Sequence, residues 1–136
     1  MNWGLMKYIK TINMKVKDVM IKPDKFGRVN PDEFLKVALD KMTDSKLGIV
    51  CIVEDEFLKG VITDGDIRRK LLGEQKPFSA FFSDYVINHA ISNPITCKEE
   101  DSLKHAIELM EEKQIWDLPV INDNRKLVGL LHLHAA

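Results

Sequence analysis

The fold of this protein is decided by the stretch Gly60-Val61-Ile62-Thr63-Asp64-Gly65-Asp66-Ile67-Arg68-Arg69. Its β-branched residues predict a short strand, and the segment that carries the two arginines predicts a helix that follows at once. A corner of this kind brings a threonine hydroxyl, backbone N–H groups and a carboxylate to one point. These groups suit the hydroxyls and phosphates of a nucleotide. The sequence therefore predicts a ligand-binding corner between a strand and a helix.

The strand of this corner, together with the helix and the strand before it, recurs about half a chain later. Residues 35–42 align with residues 103–110 at an offset of 68 positions, which is 103 minus 35. In both segments the apolar residues fall at i, i+3, i+4 and i+7, which is the buried stripe of an amphipathic helix. A hydrophobic strand, a polar turn and a second strand follow each helix, as in a hairpin. Each copy is therefore predicted to have the order β-α-β-β, with a clear closing helix only in the first copy.

These copies divide the chain into four parts. We predict an N-terminal arm over residues 1–15, a first repeat over 16–73, a connector over 74–85 and a second repeat over 86–136. One repeat alone would bury too little apolar surface to be stable. The predicted fold class is therefore α/β (α+β), in which two β-α-β-β(-α) repeats pack about a pseudo-twofold axis with clefts at their junction.

The composition excludes several classes of partner. The 136 residues carry 20 basic and 21 acidic side chains, for a net charge of −1. This balance is not typical of a surface that binds nucleic acid or an anionic membrane. The N-terminal residues are too few and too charged to span a bilayer, and they lack the pattern of a signal peptide. Because Cys51 and Cys97 lie in apolar strand-like contexts, we expect buried reduced thiols and a cytoplasmic protein.

Several motifs, which occur in a fixed order and partly twice, resemble a tandem pair of cystathionine-β-synthase-type (CBS) domains, often called a Bateman module. These motifs are Val16-Lys17-Asp18-Val19-Met20, Asn93-Pro94-Ile95-Thr96, Leu118-Pro119-Val120-Ile121 and the run of residues 60–66. The resemblance covers about residues 16–134. It implies the CBS fold for most of the chain.

The particular branch of this family is also indicated by sequence. Residues 42–48, 63–69 and 129–134 are similar to the C-terminal CBS pair of sugar-phosphate isomerases of the arabinose-5-phosphate isomerase type. Those enzymes carry an N-terminal sugar-isomerase domain, which is absent from this sequence. A sugar-phosphate nucleotidyltransferase with an attached CBS pair is the alternative parent. The His-x-His near the end of the chain favours the isomerase.

The resemblance implies regulation rather than catalysis. CBS pairs commonly bind nucleotides and transmit their occupancy to a catalytic domain, so the expected ligand is an adenine nucleotide or a CMP-sugar. The resemblance also implies a homodimer formed through the CBS pairs. No catalytic residue, required cofactor or resident metal is expected, because no nucleophile–base pair or P-loop is visible in the sequence. The alternative function is a structural dimerisation module that binds no ligand.

The resemblance also implies roles for individual residues. Asp66 would accept hydrogen bonds from ribose hydroxyls, and Thr63 would contact ribose or phosphate. Arg68 and Arg69 are candidates for neutralising the phosphate, and the helix that follows Asp66 would favour it through its N-terminus. The other expected ligand-binding residues flank the base or line the cleft: Arg28, Val29, Ile95, Thr96, Leu118, Pro119 and His132.

The second copy departs from this pattern at its corner. His132 stands in the place of Thr63, and Ala135 stands in the place of Asp66. We therefore expect one competent nucleotide site rather than two, and a second repeat that lacks its C-terminal helix. His132 and His134 point to the same face of a strand, as two metal ligands would, but no third ligand has suitable spacing. The sequence does not predict a metal site.

Overall fold

The structure is a computed structural model that describes residues 13–73 and 77–133. Most of the predicted N-terminal arm and the last three residues of the chain lie outside these ranges, and so does part of the connector. The first repeat contains β1 (Gly27–Val29), α1 (Leu35–Ser45), β2 (Ile49–Glu54), β3 (Phe57–Thr63) and α2 (Asp64–Gly73). After the short helix α3 (Phe78–Phe82), the second repeat contains β4 (Cys97–Lys98), α4 (Leu103–Lys113), β5 (Asp117–Ile121) and β6 (Leu127–His132). The predicted α/β class and the β-α-β-β order of both repeats are confirmed.

The two repeats form similar three-stranded sheets, ordered β1-β2-β3 and β4-β5-β6. In each sheet the first pair of strands is parallel and the second pair is an antiparallel hairpin. The register of the first hairpin shifts between Ile52 and Val53, and that of the second shifts between Val120 and Ile121. The two positions are related by the same 68-residue offset as the sequence repeat. The two hairpins therefore share the same irregularity in strand pairing.

The amphipathic helices α1 and α4 bury the stripes that the sequence predicts. The buried residues of α1 are Leu35, Ala38 and Met42, and those of α4 are Leu103, Ala106, Ile107 and Met110. Both helices end at a residue with left-handed backbone geometry, with φ of 60° at Lys46 and 55° at Gln114. A left-handed residue after the last turn is a common way to end a helix. Because the buried helix residues pack with strand residues in the core of each unit, each helix covers one face of its own sheet.

The described residues group into two compact units that differ from the sequence repeats. The first unit is Pro23–Pro94, and the second unit combines the chain up to residue 22 with the chain from residue 95 onward. The segment of residues 16–21 therefore belongs with the second repeat, and the matching segment of residues 86–91 belongs with the first. The predicted repeat boundaries describe the sequence, whereas packing exchanges the segment that begins each repeat.

Backbone hydrogen bonds attach each exchanged segment to the edge of a sheet. Ile91 exchanges hydrogen bonds of 2.9 and 3.1 Å with Val61 of β3. Ile21 makes the corresponding bonds of 2.7 and 3.0 Å with Leu130 of β6. The exchange also reaches the hydrophobic cores, because Val86 is fully buried in the core of the first unit and Val16 in that of the second. Each core is therefore completed by the first residues of the other repeat.

Glu100 holds the exchanged segment of the second unit through an ion cluster. Lys15 and Lys17 lie 2.6 and 2.9 Å from the two carboxylate oxygens of Glu100. Hydrogen bonds from these two lysines lower the pKa of Glu100 from its usual 4.5 to about 2. The carboxylate is exposed, so salt screens its interaction with the lysines.

Gly60→Ala should destabilise the protein. A Cβ at Gly60 would lie 2.7 Å from the carbonyl oxygen of Ile91, which is backbone and part of the bridge to β3. Because that oxygen can move only with the segment, we expect a loss of about 1–3 kcal/mol in the free energy of unfolding, measured in urea. Gly73→Ala is the matched control, since nothing lies within 4 Å of its new Cβ. Equal stability of the two variants would contradict the close packing of this segment.

Glu100→Gln should lower stability at pH 6, and its effect should disappear in acid. The folded-state pKa is depressed, so the contribution of Glu100 is fully present above pH 4.5 and is lost as the pH falls towards 2. Urea unfolding at a series of pH values would measure the difference between the variant and the native chain. High salt should reduce this difference, and Glu112→Gln, which removes a carboxylate outside the ion cluster, is the matched control. A constant difference down to pH 2 would be inconsistent with this assignment.

Candidate functional site

Thr63 and Asp66 form the corner between β3 and α2 through two reciprocal hydrogen bonds. The backbone N–H of Asp66 donates to the Thr63 hydroxyl at 3.1 Å, and the backbone N–H of Thr63 donates to Asp66 Oδ2 at 3.2 Å. This arrangement is a capping box, which satisfies N–H groups at the start of a helix. The two residues that the sequence assigned to ligand binding therefore also shape the corner. A threonine followed three residues later by an acidic residue is a sequence pattern that predicts such a box.

The second oxygen of Asp66 accepts a hydrogen bond from Arg69, one helical turn further along α2. Arg69 Nη2 lies 2.6 Å from Asp66 Oδ1, and the Asp66 side chain is 17% exposed while that of Arg69 is 67% exposed. Both carboxylate oxygens of Asp66 thus have partners within the protein. Arg68 is exposed and has no place in this contact.

A cavity of about 530 Å³ opens beside this corner within the first unit. Asp66, Arg69 and Lys70 line one side of it, and the exchanged segment of residues 88–91 lines the other. Its volume lies in the usual range for small-molecule sites. Lys70 was not among the residues predicted from the sequence to bind the ligand. Its position four residues after Asp66, on the same helix face, is the pattern that could have indicated it. The wall formed by residues 88–91 depends on tertiary packing and had no sequence signal.

Arg28 and Val29 lie elsewhere in the first unit. They line a separate cavity of about 440 Å³, which also includes Asp55 in the turn between β2 and β3. The side chain of Val29 is only 3% exposed and belongs to the core. The lining of this cavity does not include Asp66.

The remaining predicted site residues belong to the second unit. Ile95 is exposed and Thr96 is half-buried. Both residues precede β4, which begins at Cys97. Leu118 and Pro119 are fully buried in β5, and Leu118 is part of the core. Because both residues are fully buried, neither forms an exposed apolar wall for a ligand.

The corresponding corner of the second unit is built with different side chains. His132 Nδ1 lies 2.7 Å from Asp117 Oδ1, and the two residues face each other across β5 and β6. The backbone frame is retained, because the N–H of Leu133 donates to the carbonyl of Trp116 at 2.8 Å, as Asp64 donates to Gly48 at 3.0 Å. His134 and Ala135 lie outside the described residues, so the absence of a ribose-binding carboxylate here stays a prediction.

Other candidate chemistry is limited in the described residues. Cys51 and Cys97 are both buried and form no disulfide, as the sequence predicts. Burial, with a smaller contribution from the charge of Asp101, raises the pKa of the Cys97 thiol to about 12, so the thiolate nucleophile is suppressed. Within residues 13–73 and 77–133, no cluster of three or more His, Cys, Asp or Glu residues could hold a metal ion. None of the helices in these ranges is long and apolar enough to cross a bilayer.

The fold is a tandem pair of similar β-α-β-β repeats, and comparison with known families identifies the class. The CBS domain family matches residues 16–73 and again residues 84–135. This chain therefore belongs to the CBS domain family and contains two copies of the domain in tandem.

Its relatives include named isomerases. A probable arabinose 5-phosphate isomerase from Haemophilus influenzae is 32% identical over 117 residues, which cover 86% of this chain and 33% of that protein. Arabinose 5-phosphate isomerase KdsD from Yersinia pestis is 30% identical over 122 residues, covering 89% of this chain and 36% of that protein. The chain thus spans about a third of the length of these relatives. The predicted resemblance to the CBS region of such isomerases is confirmed.

A solved CBS structure matches along most of its length. The crystal structure of CBSX2 in complex with AMP has a TM-score of 0.77 and 25% sequence identity, and the match covers 88% of this chain and 90% of that one. The tandem CBS fold is therefore supported by both sequence and structure.

Thr63→Ala should destabilise α2 because it removes the hydroxyl that accepts from the Asp66 N–H. Loss of a helix cap of this type costs about 1 kcal/mol in the free energy of unfolding, which urea denaturation would measure. Thr63→Ser retains the hydroxyl and should stay within a few tenths of the native value. If the alanine and serine variants were equally stable, Thr63 would have no capping role.

Proposed function

We propose that this chain is a regulatory CBS pair that binds a nucleotide and controls a sugar-phosphate isomerase domain in a longer parent protein. The observation that carries the proposal is the position of Asp66, a half-buried carboxylate beside a cavity that also contains Arg69 and Lys70. A carboxylate accepts hydrogen bonds from ribose hydroxyls, and the two cations complement a phosphate. Thr63 fixes the orientation of Asp66 through the capping box.

Two ligand classes fit this site. The AMP complex of CBSX2 supports an adenine nucleotide as the ligand. The isomerase relatives support a CMP-sugar, which would be formed later from the product of such an enzyme and would provide feedback control. Both ligands have ribose hydroxyls and a phosphate, which are the groups that Asp66 and its neighbouring cations recognise.

In this proposal the residues of the second unit play a lesser part. The contacts of Ile95 and Thr96 with the base of a ligand stay a prediction from the sequence. Leu118 and Pro119 are fully buried, so any part they play would be to support the strand beside the site. His132 is held by Asp117, so the second corner would not bind ribose in the same way.

The catalytic activity of the parent would reside outside this chain. The isomerase relatives are about three times as long as the matched region. We therefore assign isomerisation to the remaining two-thirds of such a protein, and a non-catalytic, cytoplasmic, regulatory role to the CBS pair. Homodimerisation through the CBS pairs would connect ligand binding to that domain.

A second candidate is a structural dimerisation module that binds no ligand. It is favoured by an exposed aromatic pair, Phe34 and Tyr85, whose rings stack at 5.9 Å with about half of each residue exposed. Exposed aromatic side chains are enriched in protein–protein interfaces. This function does not require Asp66.

The two candidates are separated by thermal unfolding with AMP, ADP, ATP, CMP and a CMP-sugar. A ligand at about 100 times its dissociation constant should stabilise the native chain by about 2.7 kcal/mol, or a few degrees. Asp66→Ala should abolish this shift, whereas Asp64→Ala, at the exposed neighbouring carboxylate, should retain it. If no nucleotide shifts the native chain and sedimentation shows a stable dimer, the dimerisation module is favoured instead.

A further inference from the structure

The start of helix α2 is not available to bind the phosphate of a ligand. Its first three N–H groups already have acceptors: Asp64 N donates to the Gly48 carbonyl, Gly65 N to Asp64 Oδ1, and Asp66 N to the Thr63 hydroxyl. Two carboxylates in the first turn, those of Asp64 and Asp66, also oppose the attraction of the helix dipole for an anion. The expectation that this N-terminus favours phosphate is therefore not supported by its hydrogen bonds.

Cationic side chains lie in the next turn instead. Asp66, Arg69, Lys70 and Gly73 are spaced at i, i+3, i+4 and i+7, so they share one face of α2, and all four line the same cavity. A ribose bound at Asp66 would place its 5′-phosphate within about one helical turn, or about 5 Å. Arg69 and Lys70 occupy that position, whereas Arg68 does not line the cavity.

Arg69 has a second role in the ligand-free protein, because it neutralises the carboxylate that the ribose needs. Its Nη2 atom lies 2.6 Å from Asp66 Oδ1, while Asp66 Oδ2 accepts from the Thr63 N–H. A sugar hydroxyl that approaches Oδ1 must therefore share or displace the guanidinium. Because Arg69 is largely exposed, its ion pair is weak and can exchange at small cost.

On the basis of the nucleotide site proposed above, we infer that Arg69 exchanges partners on binding, from the Asp66 carboxylate to the ligand phosphate, and thereby selects nucleotides over nucleosides. A nucleotide releases Asp66 and supplies Arg69 with a new anion in the same event. A nucleoside must displace Arg69 without offering it a replacement. Lys70 contributes to phosphate binding only, because no hydrogen bond or ion pair joins it to Asp66 in the described residues.

Calorimetric titration of the chain with AMP and with adenosine tests this inference. Arg69→Gln should weaken AMP binding by about tenfold and tighten adenosine binding by about two- to fivefold. Lys70→Gln should weaken AMP binding and leave adenosine binding unchanged. Arg68→Gln is the matched control, since it removes the same charge from the neighbouring residue and should preserve the ratio of the two affinities.

Salt provides a second test on the native chain. Raising the ionic strength screens the Asp66–Arg69 pair and the phosphate contacts alike, so AMP binding should weaken while adenosine binding is maintained or improves. Suppose that AMP binds but that Arg69→Gln changes the affinities for AMP and adenosine in the same direction, or has the same effect as Arg68→Gln. The exchange of partners is then wrong, while the proposed nucleotide site is retained. If neither AMP nor adenosine binds the native chain at millimolar concentration, the adenine-nucleotide site and the exchange both fail.

Discussion

The exchange of the segments that begin the two repeats is the constraint on which the rest of this structure depends. Residues 86–91 pair with β3 of the first repeat, and residues 16–21 pair with β6 of the second. Each segment also places a valine in the core that it joins, Val86 in one case and Val16 in the other. The approach is so close that Gly60 and Gly129 leave no room for a Cβ against the paired segments. Stability and site architecture are therefore linked, because the segment that completes the first core also forms a wall of the cavity beside Asp66.

The two corners show how one backbone frame can support different chemistry. Both retain the hydrogen bond that joins the end of the hairpin to the residue before its first strand. In the first unit this frame presents a capping box and a carboxylate next to two cations. In the second unit it presents a histidine paired with an aspartate across the strands. Duplication has preserved the scaffold, while the side chains that could bind a ligand differ between the two copies.

In the proposed site, Asp66 would serve structure and recognition with the same carboxylate. One oxygen closes the capping box and the other holds Arg69, so the side chain is oriented before any ligand arrives. Preorganisation of this kind lowers the conformational cost of binding. It also means that a variant at Asp66 would alter helix stability as well as the proposed recognition.

The sequence by itself determined the element order, the buried faces of α1 and α4, the two hairpins, the CBS family and the corner at Thr63 and Asp66. Each of these depends on periodicity or on spacing within a few residues, which a single chain displays directly. Only the tertiary structure decided which sheet each exchanged segment joins. Residues 16–21 and 86–91 resemble each other, so their sequences are compatible with pairing to either sheet. It also decided that Val29 and Leu118 lie in the cores, and that Arg69 rather than Arg68 meets Asp66. These outcomes depend on which side of a strand or helix faces its neighbours, and that choice is made by packing between residues far apart in the chain.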